Sequence, residues 1–396
     1  WFPQDDVLAH PNVKAFITHG GLLSTTETIY HGVPVIGIPM FGDQFLNMAQ
    51  AEKGGYGIMA DYNLLSVDYL KGIIEEMMSN EKYTKQIKAM SKRYRDQPLT
   101  PLETAVYWVE YVARHKGAYH LRNSGMDLSF IQYHNIDAFA VLYETKKDII
   151  NYRNKGLIES IAEFYDMGVN MTQTTLANKN VQALLKSNEK FDVIINEIFL
   201  NEALLGIANH FKAPVIAVST FGASQWTSDL VGSPTPPSYV PNPFLGFSPK
   251  MTLLERIGNL AQAHFDRIFF DFFYLQRQIN LYNEFFPEPK PSLNSVRKNV
   301  SLVLLNTHFS LAFPRPYAPN MIEVGGMQVN RKTKELPADM KKFIESAEHG
   351  VIYFSMGSNL KSNTLPKEKR DALLNTFKTL KQKVLWKWED PNLPGK

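Results

Sequence analysis

Val13-Lys14-Ala15-Phe16-Ile17-Thr18-His19-Gly20-Gly21-Leu22-Leu23-Ser24-Thr25-Thr26-Glu27 is the stretch that decides the fold class. Its first six residues are an apolar run suited to a buried strand, and Leu22 to His31 carries a helical pattern. Two glycines join them. A strand that passes so quickly into a helix begins a β-α-β unit, and open α/β sheets bind ligands beyond the carboxyl ends of their strands. The helix start offers unpaired N–H groups and the positive end of a dipole, which suit a phosphate. Gly20 and Gly21 let a phosphate approach the backbone, and Ser24, Thr25 and Thr26 add hydroxyls. A cation at such a helix start is disfavoured unless an anion sits opposite, so His19 is informative. The same His-Gly-Gly also serves as a plain strand–helix turn, and spacing alone leaves both readings open.

The pattern continues outward. Val33–Pro39 reads as a second strand, a helix that Asp43 is placed to cap follows, and Tyr56–Ala60 reads as a third strand. Ser66 caps a helix whose apolar residues fall at Leu70, Ile73, Ile74, Met77 and Met78. Thr100-Pro-Leu-Glu103 is a capping box with proline at the first helical position, and its helix runs towards His115. Phe191–Ile195, Pro214–Ser219 and Ser301–Asn306 read as strands of a second unit, with a helix from about Asn201. The Pro-, Phe- and Tyr-rich segment 221–292, with helices near 253–260 and 269–283, suits an apolar pocket wall. Residues 313–339, rich in Pro and Gly, suit an interdomain linker. Gly350–Gly357 and Lys383–Trp388 are two more strands with a helix between them. Strands alternating with helices imply parallel sheets covered on both faces.

Composition narrows the function. The chain has 396 residues, 44% of them hydrophobic and 12% aromatic, which is globular and large enough for two or three domains. Net charge is +3 with no basic block, so nucleic acid is not an expected partner. There is no cysteine, hence no disulfide and no thiolate metal site. No apolar run approaches the roughly 20 residues of a membrane span, and the opening residues lack signal-peptide character. Sequons stand at Asn170 and Asn299. No Gly-x-Gly-x-x-Gly follows a strand, which argues against a dinucleotide dehydrogenase.

Other residues extend the candidate site. Glu27 lies about two turns along the helix from His19, where a carboxylate accepts from a ribose diol or is simply solvated. Asp43 and Gln44, at the same sheet edge, suit sugar hydroxyls, and Asp43 equally suits a helix cap. Trp1 and Gln4 suit stacking on a flat ring and bonding its edge. Ser358, after the strand that ends at Gly357, is a second phosphate cradle. Glu197, at a strand end in the second unit, is placed to orient a general base or to lie at the surface. Jointly these residues describe a nucleotide-sugar site.

The ordered set W-x-P-Q, T-H-G-G, E, H-G-V-P-x-x-G-x-P and D-Q, from Trp1 to Gln44, resembles the signature of the UDP-glycosyltransferases, of the UDP-glucuronosyltransferase type, with Leu22-Leu23-Ser24 similar to insect members. The resemblance implies a GT-B fold, with two Rossmann-like domains facing across a cleft. It implies inverting transfer of a hexose, glucose or glucuronic acid, from a UDP-sugar to a small lipophilic acceptor. No cofactor or metal is implied, the UDP-sugar being a co-substrate. It places Trp1, Gln4, His19, Gly20, Gly21, Ser24, Glu27, Asp43, Gln44 and Ser358 at the donor, and Glu197 where the family pairs an acid with its catalytic histidine. It further implies endoplasmic reticulum membrane residence on the lumenal side; a homo-oligomer is left open.

The same resemblance makes the order unusual. Residues 1–143 resemble the second half of the donor domain, running to the segment Asp127–His134 that precedes the membrane anchor, whose first turns fall at Ala138–Tyr143. Residues 145–312 resemble the acceptor domain without its first strand and helix, and residues 340–396 the first half of the donor domain. In the doubly wound order 3-2-1-4-5-6, the C-terminal piece would supply strands 1 and 2 and the N-terminal piece strands 4 to 6. The junction near residue 144 then reads as two tandem family sequences merged. None of the ten histidines stands in the Gly-Ser-His-like setting of the family's base, so impaired transfer is expected, or UDP-sugar binding without catalysis.

Overall fold

The computed structural model describes residues 2–40, 42–121, 155–243, 245–309, 312–329, 333–357, 362 and 365–388. Trp1, Ser358 and the segments Asp127–His134 and Ala138–Tyr143 lie outside them.

Two parallel sheets carry the fold. The first contains β1 (Val13–Thr18), β2 (Val35–Gly37), β3 (Gly57–Met59), β8 (Val351–Ser355) and β9 (Lys383–Trp386), in the order β3-β2-β1-β8-β9. The second contains β4 (Ile194–Glu197), β5 (Val215–Ser219), β6 (Val300–Leu305) and β7 (Met321–Glu323), in that order. All pairings are parallel. Strands from the two ends of the described chain therefore lie side by side, with Phe16 opposite Tyr353 and Thr18 opposite Ser355. In doubly wound numbering the first sheet reads 2-1-4-5-6 from β9 to β3. The chain moves away from the β1–β8 pair in both directions, which makes the gap beyond Thr18 and Ser355 a topological switch point.

Strand alternation sends alternate residues to opposite faces. Ala15, Ile17, Ile36, Ile352 and Phe354 pack against α4 (Val67–Ser79) and the helix Lys367–Lys378 through Leu70, Ile74, Met77 and Leu373. On the opposite face, Phe16 and Tyr353 stack with ring centroids 5.0 Å apart beside Val7 and Leu8 of α1 (Gln4–Ala9). Val35 meets Ile29 of α2 (Leu22–His31), Met48 and Ala51 of α3 (Gln44–Lys53), and Ile87, Met90 and Tyr94 of α5 (Glu81–Arg95). Helices on both faces explain why β1, β2 and β8 are buried along almost their whole length, Lys14 of β1 being exposed.

Several local readings are met and several shift. Ser66 accepts from the Tyr69 N–H, and the capping box of Thr100 and Glu103 opens α6 (Pro101–Arg114). α6 then leaves the first sheet: Ala105 and Val112 pack with Ile216, Leu302, Leu304 and Val324 of the second. β2 is shorter than read, because Pro34 and Pro39 bound it and have no N–H for a ladder. β4 begins at Ile194 rather than Phe191, since its first ladder bond goes to the Pro214 carbonyl and β5 offers no earlier partner. Residues 313–339, read as a linker, contain β7, which pairs with β6. α5 stands where no helix was read, although Tyr83, Ile87, Met90 and Tyr94 keep helical spacing and are buried.

Candidate functional site

The site grows from the turn after β1. Thr18 is buried, and Gly20 follows at φ 84°, a left-handed conformation that glycine adopts without strain. A Cβ on Gly20 would come 2.6 Å from Met48 Cγ, so the turn also needs glycine for its fit against α3. Gly21 is the N-cap residue of α2 and offers no side-chain cap, leaving the helix's first N–H groups to a ligand or water.

His19 occupies a slot made by two glycines. A Cβ on Gly21 would lie 2.6 Å from its Nε2, and one on Gly357, at φ 79°, would lie 2.5 Å from its Cε1. Gly357 follows β8, so the imidazole sits at the switch point between the two strand ends. Burial, then the nearby Lys387 ammonium, push its pKa down to about 4. His19 is thus a neutral ring at neutral pH, able both to donate and to accept a hydrogen bond. Lys387 directly follows β9 and donates to the Gly357 carbonyl at 2.5 Å. The sequence reading missed it, although a lysine just past a strand at the same sheet edge was the available signal. Lys387 and the α2 start make the locus electropositive, which suits phosphate.

Glu27 lies further along α2, largely buried. Gln4 Nε2 donates to its Oε2 at 2.7 Å and to Ser24 Oγ at 3.1 Å. Burial raises the Glu27 pKa, and the Gln4 bond opposes the rise. Gln4 therefore holds Glu27 and Ser24, instead of offering that amide to a ring edge. Beside them, His31 Nε2 lies 2.5 Å from Asp5 Oδ1.

Asp43 stands at the N-cap position of α3, but its side chain makes no cap bond. Its Oδ2 accepts from Asn47 Nδ2 at 2.9 Å, and the same amide donates to the Gly20 carbonyl at 2.9 Å. Asn47, also missed in the sequence, ties the acid to the His19 turn. Burial raises the Asp43 pKa against that bond. Gln44 is buried, its Oε1 accepting from the Met40 N–H at 2.8 Å. The structure thus gathers Gln4, His19, Gly20, Gly21, Ser24, Glu27, Asp43 and Gln44 around the α2 and α3 starts.

Glu197 stands apart from this group in the fold. It ends the edge strand β4, is exposed, and accepts from Thr220 Oγ1 at 2.8 Å. In the segment read as an apolar wall, Asn259, Gln262 and Asp266 of the helix Leu253–Phe269 are buried, while Leu253 and Leu254 of that helix and Phe272 and Phe273 of the π-helical turn after it, Phe270–Tyr274, are exposed. Among the described residues no cluster of His, Cys, Asp or Glu is suited to hold a metal.

A family model described as UDP-glucoronosyl and UDP-glucosyl transferase matches residues 1–150 and again residues 143–395. The chain belongs to the UDP-glycosyltransferase family. The family places it in the GT-B class, and the parallel α/β sheets agree with that. Among curated relatives, "UDP-glycosyltransferase UGT5" of Dactylopius coccus is 51% identical over 142 residues, 36% of this chain and 27% of that protein. "UDP-glucuronosyltransferase 2B33" of Macaca mulatta is 44% identical over 142 residues, again 36% and 27%. "UDP-glucuronosyltransferase 2C1" of Oryctolagus cuniculus is 42% identical over 150 residues, 38% and 30%. Each alignment thus spans under a third of the relative's length.

Proposed function

We propose that this UDP-glycosyltransferase family chain binds a UDP-sugar at the β1–β8 switch point. The observation that carries the reading is the His19 slot. A neutral imidazole is held between Gly21 and Gly357, beside Lys387 and an uncapped helix start. The diphosphate would lie at the Gly20–Gly21 turn. Glu27, oriented by Gln4, would accept from the ribose hydroxyls, and Asp43, fixed by Asn47, would face the sugar with Gln44 packed behind it. Trp1 and Ser358 complete the proposed donor set from outside the described residues. The reaction is inverting transfer of a hexose, glucose or glucuronic acid, to a small lipophilic acceptor. Neither cofactor nor metal takes part, and the setting is the lumenal side of the endoplasmic reticulum membrane.

A second reading, donor binding with little or no turnover, is favoured by Glu197. Its carboxylate is bonded to Thr220, and among the described residues no histidine is bonded to it. Absence of a general base costs about 10²–10⁴-fold in rate. Calorimetric titration with UDP, repeated on Glu27→Ala, tests the site; equal affinity for both proteins refutes it. Transfer from radiolabelled UDP-glucose or UDP-glucuronic acid then separates the readings. Glu197→Gln leaves UDP affinity unchanged under both.

A further inference from the structure

The last turn of α2 carries a contact with no part in the donor site as described so far. Ser24, Glu27 and His31 stand at i, i+3 and i+7, on one face of the helix. α1 meets all three. Gln4 Nε2 donates to Ser24 Oγ and to Glu27 Oε2, and Asp5 Oδ1 lies 2.5 Å from His31 Nε2. The Asp5 and His31 side chains are 20% and 7% exposed, so solvent screens the pair little. The Tyr30 ring stands edge-on to the His31 ring, centroids 5.1 Å apart, and confines it. At roughly 1.5 Å per residue, His31 lies about 15 Å along the axis from Gly21, too far to touch a diphosphate at that turn.

We propose that Asp5 and His31 are positioning residues of the donor site: their pair fixes the rotation of α1, and so aims the Gln4 amide that holds Glu27 for the ribose hydroxyls. The proposal rests on the donor reading above. α1 does not set its own orientation. It spans six residues, shorter than a helix that persists alone, and Pro3 at its N-cap makes no side-chain cap bond. Val7 and Leu8 are buried beneath it, but apolar burial is non-directional and does not by itself stop a short helix from rolling. Polar contacts are directional. Asp6 Oδ1 accepts from the Lys334 N–H at 2.8 Å in an exposed bond, whereas the Asp5–His31 pair is largely shielded and joins α1 to α2 itself. Gln4 directly precedes Asp5, so a roll of α1 that parts Asp5 from His31 also carries the Gln4 amide off Glu27. Charge acts in the same sense. Burial is the largest influence raising the Glu27 pKa and the Gln4 bond lowers it; after these, the Asp5 charge raises it and the His31 charge lowers it. The Asp5 and Glu27 carboxylates therefore repel, and His31 offsets that repulsion.

Calorimetric titration of the full chain with UDP and with dideoxy-UDP tests this, because the ribose of the second ligand lacks both hydroxyls that Glu27 would accept from. The parent should bind UDP about tenfold more tightly than dideoxy-UDP. Asp5→Ala and His31→Ala should each lower UDP affinity about tenfold and leave dideoxy-UDP affinity unchanged. The double variant should fall no more than about twofold below either single one, since the same pair is lost only once. Asp5→Asn keeps Oδ1 as an acceptor and should restore most of the UDP affinity. A residue that merely held the fold together would lose both ligands on substitution, so equal losses of UDP and dideoxy-UDP affinity overturn the proposal. So does UDP binding by Asp5→Ala and His31→Ala that matches the parent. A parent that binds the two ligands equally well would instead refute the contact between Glu27 and ribose, and the proposal with it.

Discussion

The His19 slot makes a quantitative demand on Gly357. Gly357→Ala places a Cβ 2.5 Å from His19 Cε1 and does so at φ 79°. The left-handed backbone costs a non-glycine residue about 1–2 kcal/mol, and forcing a methyl against a packed ring costs about 1–3 kcal/mol more. The ring cannot retreat freely, because Gly21 closes its other side. The expected loss of unfolding free energy is therefore about 2–5 kcal/mol. The two parts are separable. In a His19→Ala background the ring is gone, and Gly357→Ala should then cost only the backbone part. Urea unfolding of the four proteins gives the coupling as a double-mutant cycle, expected at about 1–3 kcal/mol. UDP affinity should fall in Gly357→Ala, since the displaced ring leaves the switch point. Additivity within about 0.5 kcal/mol would show that the ring and Gly357 do not share the slot, and the site geometry argued above would fail.

Other consequences follow from the same region and from the join between the sheets. His19, with a pKa of about 4, should titrate well below an ordinary histidine in an NMR experiment, and UDP should move that titration upward; an unshifted midpoint near 6.5 refutes the burial argument. Because its folded pKa is depressed, stability linked to His19 falls as pH drops from about 6.5 towards about 4. Glu27 has the opposite sign: its raised pKa makes a favourable contribution at low pH that is lost as pH rises through the folded value. Glu27→Gln should therefore be more stable than the parent at neutral pH, the gap closing on acidification, while its UDP affinity drops; urea midpoints across pH check this. Tyr94 on α5 donates to the Gly325 carbonyl, just past β7, at 2.6 Å, and both groups are buried. Tyr94→Phe should cost about 1–3 kcal/mol by leaving that carbonyl unpaired, read as a lowered melting temperature without loss of UDP binding.

Much was legible from local signals. The periodicities of Val13–Thr18 and Leu22–His31, the Ser66 cap and the Thr100 capping box are short-range properties, and the structure keeps them because they act within a few residues. The ordered motif from Trp1 to Gln44 carries the family resemblance, and two of its members, Gly20 at a left-handed turn and Asp43 at the start of α3, stand where local backbone chemistry favours them. Tertiary contacts decided the rest. That Gly357 walls His19 depends on β8 lying beside β1, with Thr18 paired to Ser355 from the far end of the chain. That Gln4 holds Glu27, that Asn47 takes the Asp43 carboxylate, and that Lys387 reaches the Gly357 carbonyl are side-chain meetings no spacing rule reports. The helix from Leu253 shows the limit most plainly. Its amphipathic period was readable, but which face turns inward was not. Periodicity gives a direction around the helix axis, and only neighbours such as Pro237, Val240 and Asn242 give that direction an inside.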